Sequence, residues 1–516
     1  MRIKNILQYL EATALRFPEK IAFSDGADGQ SLTFSALLDA VRRTGSGLLA
    51  RCARGARIAV LMDRHPATIA AMLGVIAAGG CYVVLDAGMP VARMMDIVAR
   101  AGVSLVIADE KNAPLAKSLE IDTVLYSALL CSQVDEDALA AVRARQIDTD
   151  PIYMVFTSGS TGRPKGVVAC HRSVIDYAQA LLPAIGVTQD SVLGCQSPLF
   201  FDAPLKEILS TLVQGATTYL IPRVAFSFPM QLLTYLGENK INTVCWVSSA
   251  FVQISALGAL EKYPPLSLHT VVFGSEVFPR AHYDRWRAAL PDAAFYQLYG
   301  PTEATGMSCV WRADRALDAK ERIPIGAPMD NTDLILLSED GRRIEPVAGQ
   351  QSEPGEIYLR GSCVTLGYDG APKETEAAFV QNPLHSAYPE TVYRSGDMAC
   401  YNAHGELVFL GRRDAQIKIQ GHRIEPGEIE GAALRLTGIT QACCVYVAEV
   451  HELVLFYAGE ASEEALRATL REQLPPYMLP RRLIKKAWLA TTANGKIDRR
   501  VLLLQAMELL LKKEMT

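Results

Sequence analysis

The ten residues from Thr157 to Gly166 have the composition of a phosphate-binding loop. They read Thr-Ser-Gly-Ser-Thr-Gly-Arg-Pro-Lys-Gly and follow an apolar run, IYMVF. Glycines let the backbone turn tightly and bring its N–H groups to an anion, while the hydroxyls add donors and the lysine adds charge. The segment is not a Walker A loop, because Pro164 precedes Lys165 and no Ser or Thr follows the lysine. We therefore expect a nucleoside triphosphate loop of a different design.

A second feature is an acid and a base four positions apart in FFDAPLKEIL, residues 200–209. At helical spacing Asp202 and Lys206 are able to pair with each other, with Asp202 as the helix N-cap before Pro204. Alternatively, both side chains face a small ligand that carries opposite charges at its two ends. A buried ammonium without an anion is costly, which favours the second interpretation. The residues alone leave both open.

The composition is that of a globular protein without affinity for polyanions. The chain has 516 residues, half of them hydrophobic, and a formal net charge of −5, which argues against general binding to nucleic acid or anionic membranes. Eleven cysteines without CxxC pairs indicate a reduced, cytoplasmic protein. The apolar stretch ATIAAMLGVIAAGGCYVVLD predicts a buried helix leading into a buried strand, because a Gly-Gly pair interrupts it.

The order of patterns along the chain predicts the architecture. β-branched runs alternate with Ala/Leu-rich helical periodicities in the first half, as in βαβ units with parallel sheets. From about Asp333 the pattern changes to strands and turns, with EDG and HG as hairpin signals. After Pro426 it is again helix–strand–helix. We therefore expect an α/β protein: a large N-terminal body of βαβ-type sheets with a β-rich subdomain, then a small α+β domain beyond a boundary near Gly411–Asp414.

Several motifs in one order resemble those of the adenylate-forming superfamily, which includes nonribosomal peptide synthetase adenylation domains, acyl- and aryl-CoA ligases and luciferases. Besides the phosphate loop, they are LYGPTEAT (298–305), YRSGDMA (393–399), FLGRRDAQIKIQGHRIEPGEIE (409–430) and TTANGKIDRR (491–500). YMLP and NGKIDR are similar to the amino-acid-activating branch. The resemblance covers nearly the whole chain and implies a large domain at 1–411 and a small domain at 415–516. The two are joined by a hinge at 412–414, with Asp414 as the hinge residue about which the small domain moves.

The resemblance also implies a reaction with two halves. A carboxylate attacks the α-phosphate of ATP, with Mg²⁺ as cofactor, and a thiol then captures the acyl group. Glu303 would bind Mg²⁺, Thr302 would contact the α-phosphate, and Lys496 would bridge the substrate carboxylate and the nucleotide. The remaining nucleotide contacts fall on the adenine, ribose and phosphate groups: Tyr299 for adenine, Asp397 and Arg412 for ribose or phosphate, and Thr157, Ser158, Gly159, Ser160, Thr161, Gly162 and Lys165 for the β,γ-phosphates.

The substrate pocket follows from the same resemblance. Asp202 would bind an α-ammonium group, and the other pocket positions map onto Ala203, Lys206, Cys245, Val272, Gly274, Leu298, Gly306 and Met307. Most of these are small or apolar, whereas Lys206 resembles the lysine of glutamate-activating domains. Two substrate classes stay open: an acidic amino acid whose side-chain carboxylate meets Lys206, or a small or apolar one if Lys206 turns back to Asp202.

The expected partner is a carrier protein. The chain stops about twenty residues after Lys496 and carries no Gly-Gly-x-Ser attachment motif, so we expect it to load the phosphopantetheine thiol of a separate carrier. The alternatives are a D-alanine carrier ligase, an acyl-CoA ligase, and a nucleotide-binding protein without catalysis; the joint presence of Lys165, Glu303, Asp397, Arg412 and Lys496 argues against the last.

Overall fold

The computed structural model describes residues 3–158, 164–318, 321–492 and 497–511. The strands are β1 (Ile21–Asp25), β2 (Ser31–Thr33), β3 (Arg57–Leu61), β4 (Cys81–Val84), β5 (Leu105–Ala108), β6 (Thr123–Leu125), β7 (Pro151–Thr157), β8 (Lys165–Cys170), β9 (Val192–Cys195), β10 (Thr217–Leu220), β11 (Thr243–Val247), β12 (Thr270–Gly274), β13 (Ala294–Tyr299), β14 (Cys309–Arg312), β15 (Ala327–Pro328), β16 (Thr332–Leu337), β17 (Gly355–Gly361), β18 (Phe379–Gln381), β19 (Thr391–Tyr401), β20 (Leu407–Arg412), β21 (Ile417–Ile419), β22 (His422–Ile424), β23 (Ile439–Val447), β24 (Glu452–Gly459) and β25 (Arg482–Lys486).

The α-helices lie between these strands. They are α1 (Leu7–Arg16), α2 (Phe34–Leu49), α3 (Pro66–Ala77), α4 (Val91–Ala101), α5 (Ala113–Lys117), α6 (Tyr126–Leu130), α7 (Glu136–Arg145), α8 (His171–Ala184), α9 (Leu205–Leu209), α10 (Pro229–Glu238), α11 (Ser248–Ala256), α12 (Ala259–Lys262), α13 (Arg280–Ala289), α14 (Pro372–Ala378), α15 (Pro426–Leu434), α16 (Glu463–Gln473) and α17 (Arg499–Leu511). Within the described ranges, no helix is both long and apolar enough to cross a bilayer.

The first sheet has six strands in the order β6-β5-β3-β4-β7-β8, and β6, β5, β3, β4 and β7 run parallel. The apolar stretch that follows β3 forms α3 and then β4, so the expectation of a buried helix leading into a buried strand is confirmed. Pro66 opens α3, where its fixed φ and missing N–H cost nothing. The arrangement is the βαβ unit that the sequence predicts.

A nine-stranded sheet carries four of the nine residues predicted for the substrate pocket. Its order is β15-β14-β13-β12-β11-β9-β10-β1-β2. The strands from β13 to β1 in this order are parallel, with β14, β15 and β2 antiparallel at the two edges. The carboxyl ends of β9, β11, β12 and β13 therefore meet at one edge of the sheet. In open α/β sheets that edge is where ligands bind.

The β-rich part is an antiparallel sheet in which β16, β17, β19 and β18 are neighbours and β20 pairs with β19. The EDG signal lies in the turn after β16, where the Gly341 N–H donates to the Ser338 carbonyl. The HG signal joins β19 to β20, with the Gly405 N–H bonded to the Asn402 carbonyl. Both turns lie where the sequence predicts turns, and the HG turn closes a hairpin.

The chain divides into two compact units. The larger comprises Met1–Leu85, Ala101–Val155 and Gly166–Arg413; the smaller comprises Asp86–Arg100, Phe156–Lys165 and Asp414–Thr516. The smaller unit contains the β21–β22 hairpin and the β23-β24-β25 sheet, with its own core around α15 and α16. The predicted fold class is confirmed: mixed α/β with several sheets and a smaller C-terminal part. Movement about a hinge at 412–414 stays a prediction.

Candidate active site

Four predicted pocket residues are neighbours on parallel strands. Cys245 of β11 is the direct register partner of Val272 of β12, and Gly274 of β12 is the partner of Leu298 of β13. A Cβ on Gly274 would lie 2.4 Å from the Leu298 carbonyl oxygen, so only glycine allows this close approach of the two strands. The sheet thus brings the two pairs close together, with Gly274 and Leu298 toward the carboxyl ends of their strands.

Gly306 and Met307 pack against α8. Gly306 has φ +85°, and a Cβ there would lie 3.2 Å from the ring of Tyr177. Burial raises the pKa of the Tyr177 phenol well above its usual value, as do the charges of Asp202 and Glu207, while a hydrogen bond with the Met307 backbone opposes the shift. Tyr177 therefore belongs to the pocket region, although nothing in the sequence distinguishes it from an ordinary core tyrosine.

The segment that carries Asp202 contradicts the interpretation in which Asp202 is the N-cap of the following helix. Helix α9 begins at Leu205, and its N-cap residue is Pro204, without a side-chain capping bond. Asp202 therefore does not cap the helix; its backbone carbonyl accepts from Leu205 in the preceding turn. Proline suits the start of a helix because its φ is fixed, here at −69°, and its nitrogen needs no acceptor. The carboxylate of Asp202 is left for other partners.

Asp202 lies close to Thr302, and its side chain is half-buried. Desolvation raises the pKa of the Asp202 carboxyl, and the charge of Glu303 raises it further. The Thr302 side chain and the charge of Lys206 oppose this shift, and the net change in the pKa is upward. The predicted ammonium anchor and the turn with the predicted nucleotide and metal contacts are therefore neighbours within the larger unit.

Lys206 does not turn back to Asp202. Its side chain is buried, with 5% of its surface exposed, and its Nζ donates to the Ala203 carbonyl oxygen at 2.8 Å. None of the ion pairs found among the described residues includes Lys206. An ammonium has three donor hydrogens, so one carbonyl does not satisfy it. Ala203, its acceptor, is itself a predicted pocket residue.

A residue that sequence reasoning missed is Glu207, which follows Lys206. It is fully buried, and within the described part of the chain neither carboxylate oxygen has a hydrogen-bond partner. Burial raises the pKa of its carboxyl to about 7, against the charges of Lys206 and Arg64. Burial raises the thiol pKa of Cys245 and of Cys195, and the negative charge of Glu207 raises both pKa values further. An acid inside the apolar run LKEILSTL was the signal available.

Three predicted nucleotide-binding residues form one cluster. Asp397 of β19 is the register partner of Arg412 of β20. Tyr299 Oη donates to Asp397 Oδ2 at 2.5 Å, and Arg412 Nη1 donates to Oδ1 at 2.6 Å. Burial raises the pKa of the Tyr299 phenol well above its usual value, and the negative charge of Asp397 raises it further. A carboxylate offers about four acceptor positions, so Asp397 is still able to accept from a ribose.

Glu303 is the predicted metal ligand, and its surroundings suit Mg²⁺. It lies in the 3₁₀ turn Thr302–Ala304, with no exposed surface, and accepts from Tyr368 Oη at 2.6 Å. The described residues contain no cluster of three or more His, Cys, Asp or Glu that would hold a metal unaided. Mg²⁺ typically takes one or two carboxylates and completes its shell with substrate phosphates and water. One buried carboxylate beside a threonine hydroxyl fits that donor set.

The other predicted contacts belong to the smaller unit or lie outside the described residues. Thr157 ends β7, and Ser158 Oγ donates to the Arg423 carbonyl at 2.8 Å. Lys165 begins β8 and is half-buried. Asp414 is the first residue of the C-terminal segment of this unit and accepts from the Gln416 N–H at 3.2 Å. The predicted site residues that lie outside the described ranges are Gly159, Ser160, Thr161, Gly162 and Lys496.

Comparison with known proteins identifies a family and similar folds. The AMP-binding enzyme family matches residues 10–369. Tyrocidine synthase 3 of Brevibacillus parabrevis is 32% identical over 96% of this chain, and gramicidin S synthase 2 of Brevibacillus brevis is 30% identical over 86%. The chain spans only 8% and 10% of those two synthases. Holo-PA1221, a nonribosomal peptide synthetase protein with adenylation and PCP domains, has a TM-score of 0.82 at 25% identity, covering 97% of this chain and 84% of its own.

The fold, the clustered residues and the family match point to one class of protein, the AMP-binding enzymes. The chain belongs to the AMP-binding enzyme family, as its motifs predict. Its relatives within that family are adenylation domains of nonribosomal peptide synthetases.

Proposed function

We propose that this chain activates an amino acid with ATP as an aminoacyl-AMP and passes the acyl group to the phosphopantetheine thiol of a carrier protein. The observation that carries the proposal is the proximity of Asp202 to Thr302, whose side chain lowers the pKa of the Asp202 carboxyl. The proposed anchor for an α-ammonium group thus lies beside the turn that bears Glu303. An amino acid held by Asp202 then presents its carboxylate to a nucleotide bound at that turn. Such positioning supplies much of the rate enhancement when two anions must meet in line.

In the first half-reaction, a substrate carboxylate oxygen attacks the α-phosphorus of ATP. The bond from that phosphorus to the oxygen bridging to the β-phosphorus breaks, and pyrophosphate leaves. In the second, a thiol attacks the acyl carbon and AMP leaves. Asp397 and Arg412 orient the ribose, and Tyr299 lies beside them for the adenine. Glu303 would hold Mg²⁺, which neutralises phosphate charge when bound. Thr302 lies close to Asp202 and is expected to contact the α-phosphate.

We further propose that the substrate is an acidic amino acid. Lys206 is a buried ammonium whose hydrogen bond goes to the Ala203 carbonyl. A side-chain carboxylate would give it the anion that such a buried cation needs. Burial raises the pKa of the neighbouring Glu207 carboxyl to about 7, so Glu207 holds a negative charge less readily than an exposed glutamate and is a weaker partner for Lys206. Asp202 takes the α-ammonium group, and the α-carboxylate is left for the chemistry.

Pyrophosphate exchange over a panel of amino acids tests the activity and the substrate class together. We expect exchange with glutamate or aspartate above all others, and loss of at least 10-fold in kcat/KM on Asp202→Asn. Asp190→Asn, at an exposed carboxylate, is the matched control. Exchange with leucine or alanine but not with acids would contradict the acidic substrate. Absence of exchange with any amino acid would contradict the proposed function.

The thiol acceptor requires a separate measurement. Mass spectrometry of a holo carrier protein incubated with enzyme, ATP and the activated amino acid should show the aminoacyl thioester. The apo carrier, which lacks the phosphopantetheine thiol, is the control. Formation of the CoA thioester in preference to the carrier thioester would indicate an acyl-CoA ligase instead.

A further inference from the structure

The backbone around Glu303 is tied to the segment that follows β17. The Thr365 N–H donates to the Glu303 carbonyl oxygen at 3.0 Å. Two residues after Glu303, Thr305 has φ +54°, and its Oγ1 donates to the Cys363 carbonyl at 2.7 Å. A threonine adopts this left-handed conformation at a cost, so the surrounding contacts must hold it. The turn is therefore fixed at both its backbone and a side chain by residues 363–365.

The same segment reaches the carboxylate itself through Tyr368. Tyr368 Oη donates to Glu303 Oε1 at 2.6 Å, and both side chains are buried, with exposed fractions of 7% and 0%. An ionised carboxylate only accepts hydrogen bonds, so the phenol is the donor. Bonds to a charged acceptor at this length are roughly twice as strong as neutral ones. Fixing one oxygen sets the direction in which the whole carboxylate points.

Tyr368 has little freedom to move. Its backbone N–H donates to Thr375 Oγ1 at 3.1 Å, and the Thr375 hydroxyl hydrogen is shared between the carbonyls of Ala371 at 2.9 Å and Tyr368 at 3.2 Å. Its ring meets Phe379 edge-on, with the ring centroids 5.4 Å apart. The hydroxyl is thus delivered by a ring that is fixed in position.

The segment that carries Tyr368 is itself bound to β8. The Leu366 N–H donates to the Val168 carbonyl at 2.9 Å, and the Asp369 N–H donates to the Gly166 carbonyl at 2.8 Å. Arg57 closes a bidentate ion pair on Asp369, with N–O distances of 2.7 and 2.8 Å. Paired, planar Arg–carboxylate contacts are the geometrically specific ones. Residues 366–369 therefore form a strap between β8 and the Glu303 turn.

We propose that Tyr368 is a positioning residue, which aims the Glu303 carboxylate at the divalent cation of the bound nucleotide. The proposal rests on the proposed function in that Glu303 is taken as the metal ligand. Mg²⁺ demands near-ideal octahedral geometry, so a ligand oxygen that is free to rotate binds it poorly. Partners that orient a metal-binding side chain typically contribute 10- to 100-fold to metal affinity. Tyr368 supplies that orientation from a rigid strap.

The test measures metal binding directly. Mn²⁺ replaces Mg²⁺ as the probe and is titrated by electron paramagnetic resonance in the presence of α,β-methylene-ATP. We expect Tyr368→Phe to weaken Mn²⁺ binding about 10-fold. The Mg²⁺ concentration for half-maximal pyrophosphate exchange should rise by the same factor, while the KM of the amino acid stays unchanged. Removal of one hydroxyl keeps the ring and its packing against Phe379.

Two controls separate positioning from a structural role. Tyr358→Phe removes a hydroxyl from a tyrosine of β17 that lies beside Arg394. This change should leave the Mn²⁺ affinity unchanged. In a Glu303→Gln background, Tyr368→Phe should add no further loss, because the two changes act through one ligand. Unchanged Mn²⁺ affinity in Tyr368→Phe, or a loss that persists in the Glu303→Gln background, would overturn the proposal. Because Mn²⁺ binding needs no amino acid, a wild type that exchanges with none would contradict only the proposed function.

Discussion

Lys206 is the residue on which the choice of substrate depends. Its buried ammonium forms no ion pair among the described residues and lies near a predicted ammonium anchor, Asp202. Lys206→Met keeps the length of the side chain and removes the charge. We expect kcat/KM for glutamate in pyrophosphate exchange to fall about 100-fold, or roughly 3 kcal/mol, because a buried substrate carboxylate is left unpaired. The values for leucine and methionine should rise.

Lys262→Met, at an exposed lysine that ends α12, is the matched control and should leave all exchange rates unchanged. A uniform loss with every amino acid would show that Lys206 supports the fold of the pocket without selecting its substrate.

Glu207 makes stability depend on pH. Its carboxyl has a pKa of about 7 in the folded protein, against an ordinary 4.5. The folded state therefore keeps a proton that the unfolded state loses between these values, so the free energy of unfolding decreases as pH rises from about 4.5 to about 7, by about 3 kcal/mol. Glu207→Gln cannot ionise. We expect its unfolding free energy, relative to wild type, to rise over that range and then level off.

Denaturant unfolding at pH 5, 6, 7 and 8 measures this difference. Glu276→Gln is a useful comparison, because Glu276 accepts a hydrogen bond from the Ser249 N–H and so differs from Glu207, which lacks a partner within the described ranges. An offset between Glu207→Gln and wild type that does not change with pH would contradict a buried, titrating carboxyl.

At the scale of elements, the spacing of two strands that carry pocket residues depends on one glycine. At Gly274, β12 lies so close to β13 that no side chain fits between them. Gly274→Ala would place a methyl group 2.4 Å from the Leu298 carbonyl oxygen, so β12 and β13 would have to separate. We expect a destabilisation of roughly 1–3 kcal/mol and a larger loss of amino-acid affinity than of ATP affinity, because the displaced strands line the substrate side. Thermal unfolding and the two KM values measure these effects.

Gly237→Ala provides the matched control, since a Cβ at Gly237 in α10 meets no atom within 4 Å. Alanine in a helix interior should stabilise slightly, by about 0.5–1 kcal/mol. If Gly274→Ala behaved as mildly as this control, β12 and β13 would not be fixed at the spacing seen here.

The sequence predicted the elements better than the contacts between them. Alternating periodicities predicted the parallel sheets, and the EDG and HG signals predicted turns of the antiparallel sheet, because hydrophobic period and turn chemistry are local properties. Of the two interpretations left open for Asp202, the one that makes it the cap of α9 is wrong, because the helix begins at Leu205 and its N-cap residue is Pro204. Glu207 and Tyr177 were missed because a carboxyl without a partner and a buried phenol are recognised only after distant strands pack around them.

At the scale of the whole molecule, the boundary between the two units falls after Arg413, next to the predicted hinge residue Asp414. Lys496 belongs to the C-terminal part of the sequence and lies outside the described residues, so its role stays a prediction. If the small domain changes position between the half-reactions, then a residue that serves only the first should leave the second intact. Separate effects on the two half-reactions are therefore expected of a moving domain and not of a fixed one.

Lys496→Ala tests it. We expect pyrophosphate exchange to fall at least 100-fold, because the lysine would bridge the two anions that must meet, whereas thioester formation from chemically prepared aminoacyl-AMP should proceed at the wild-type rate. Lys485→Ala, at an exposed lysine of β25, is the control and should leave both rates unchanged. Equal losses in the two half-reactions would place Lys496 at the site throughout the cycle and remove this reason to propose that the small domain moves.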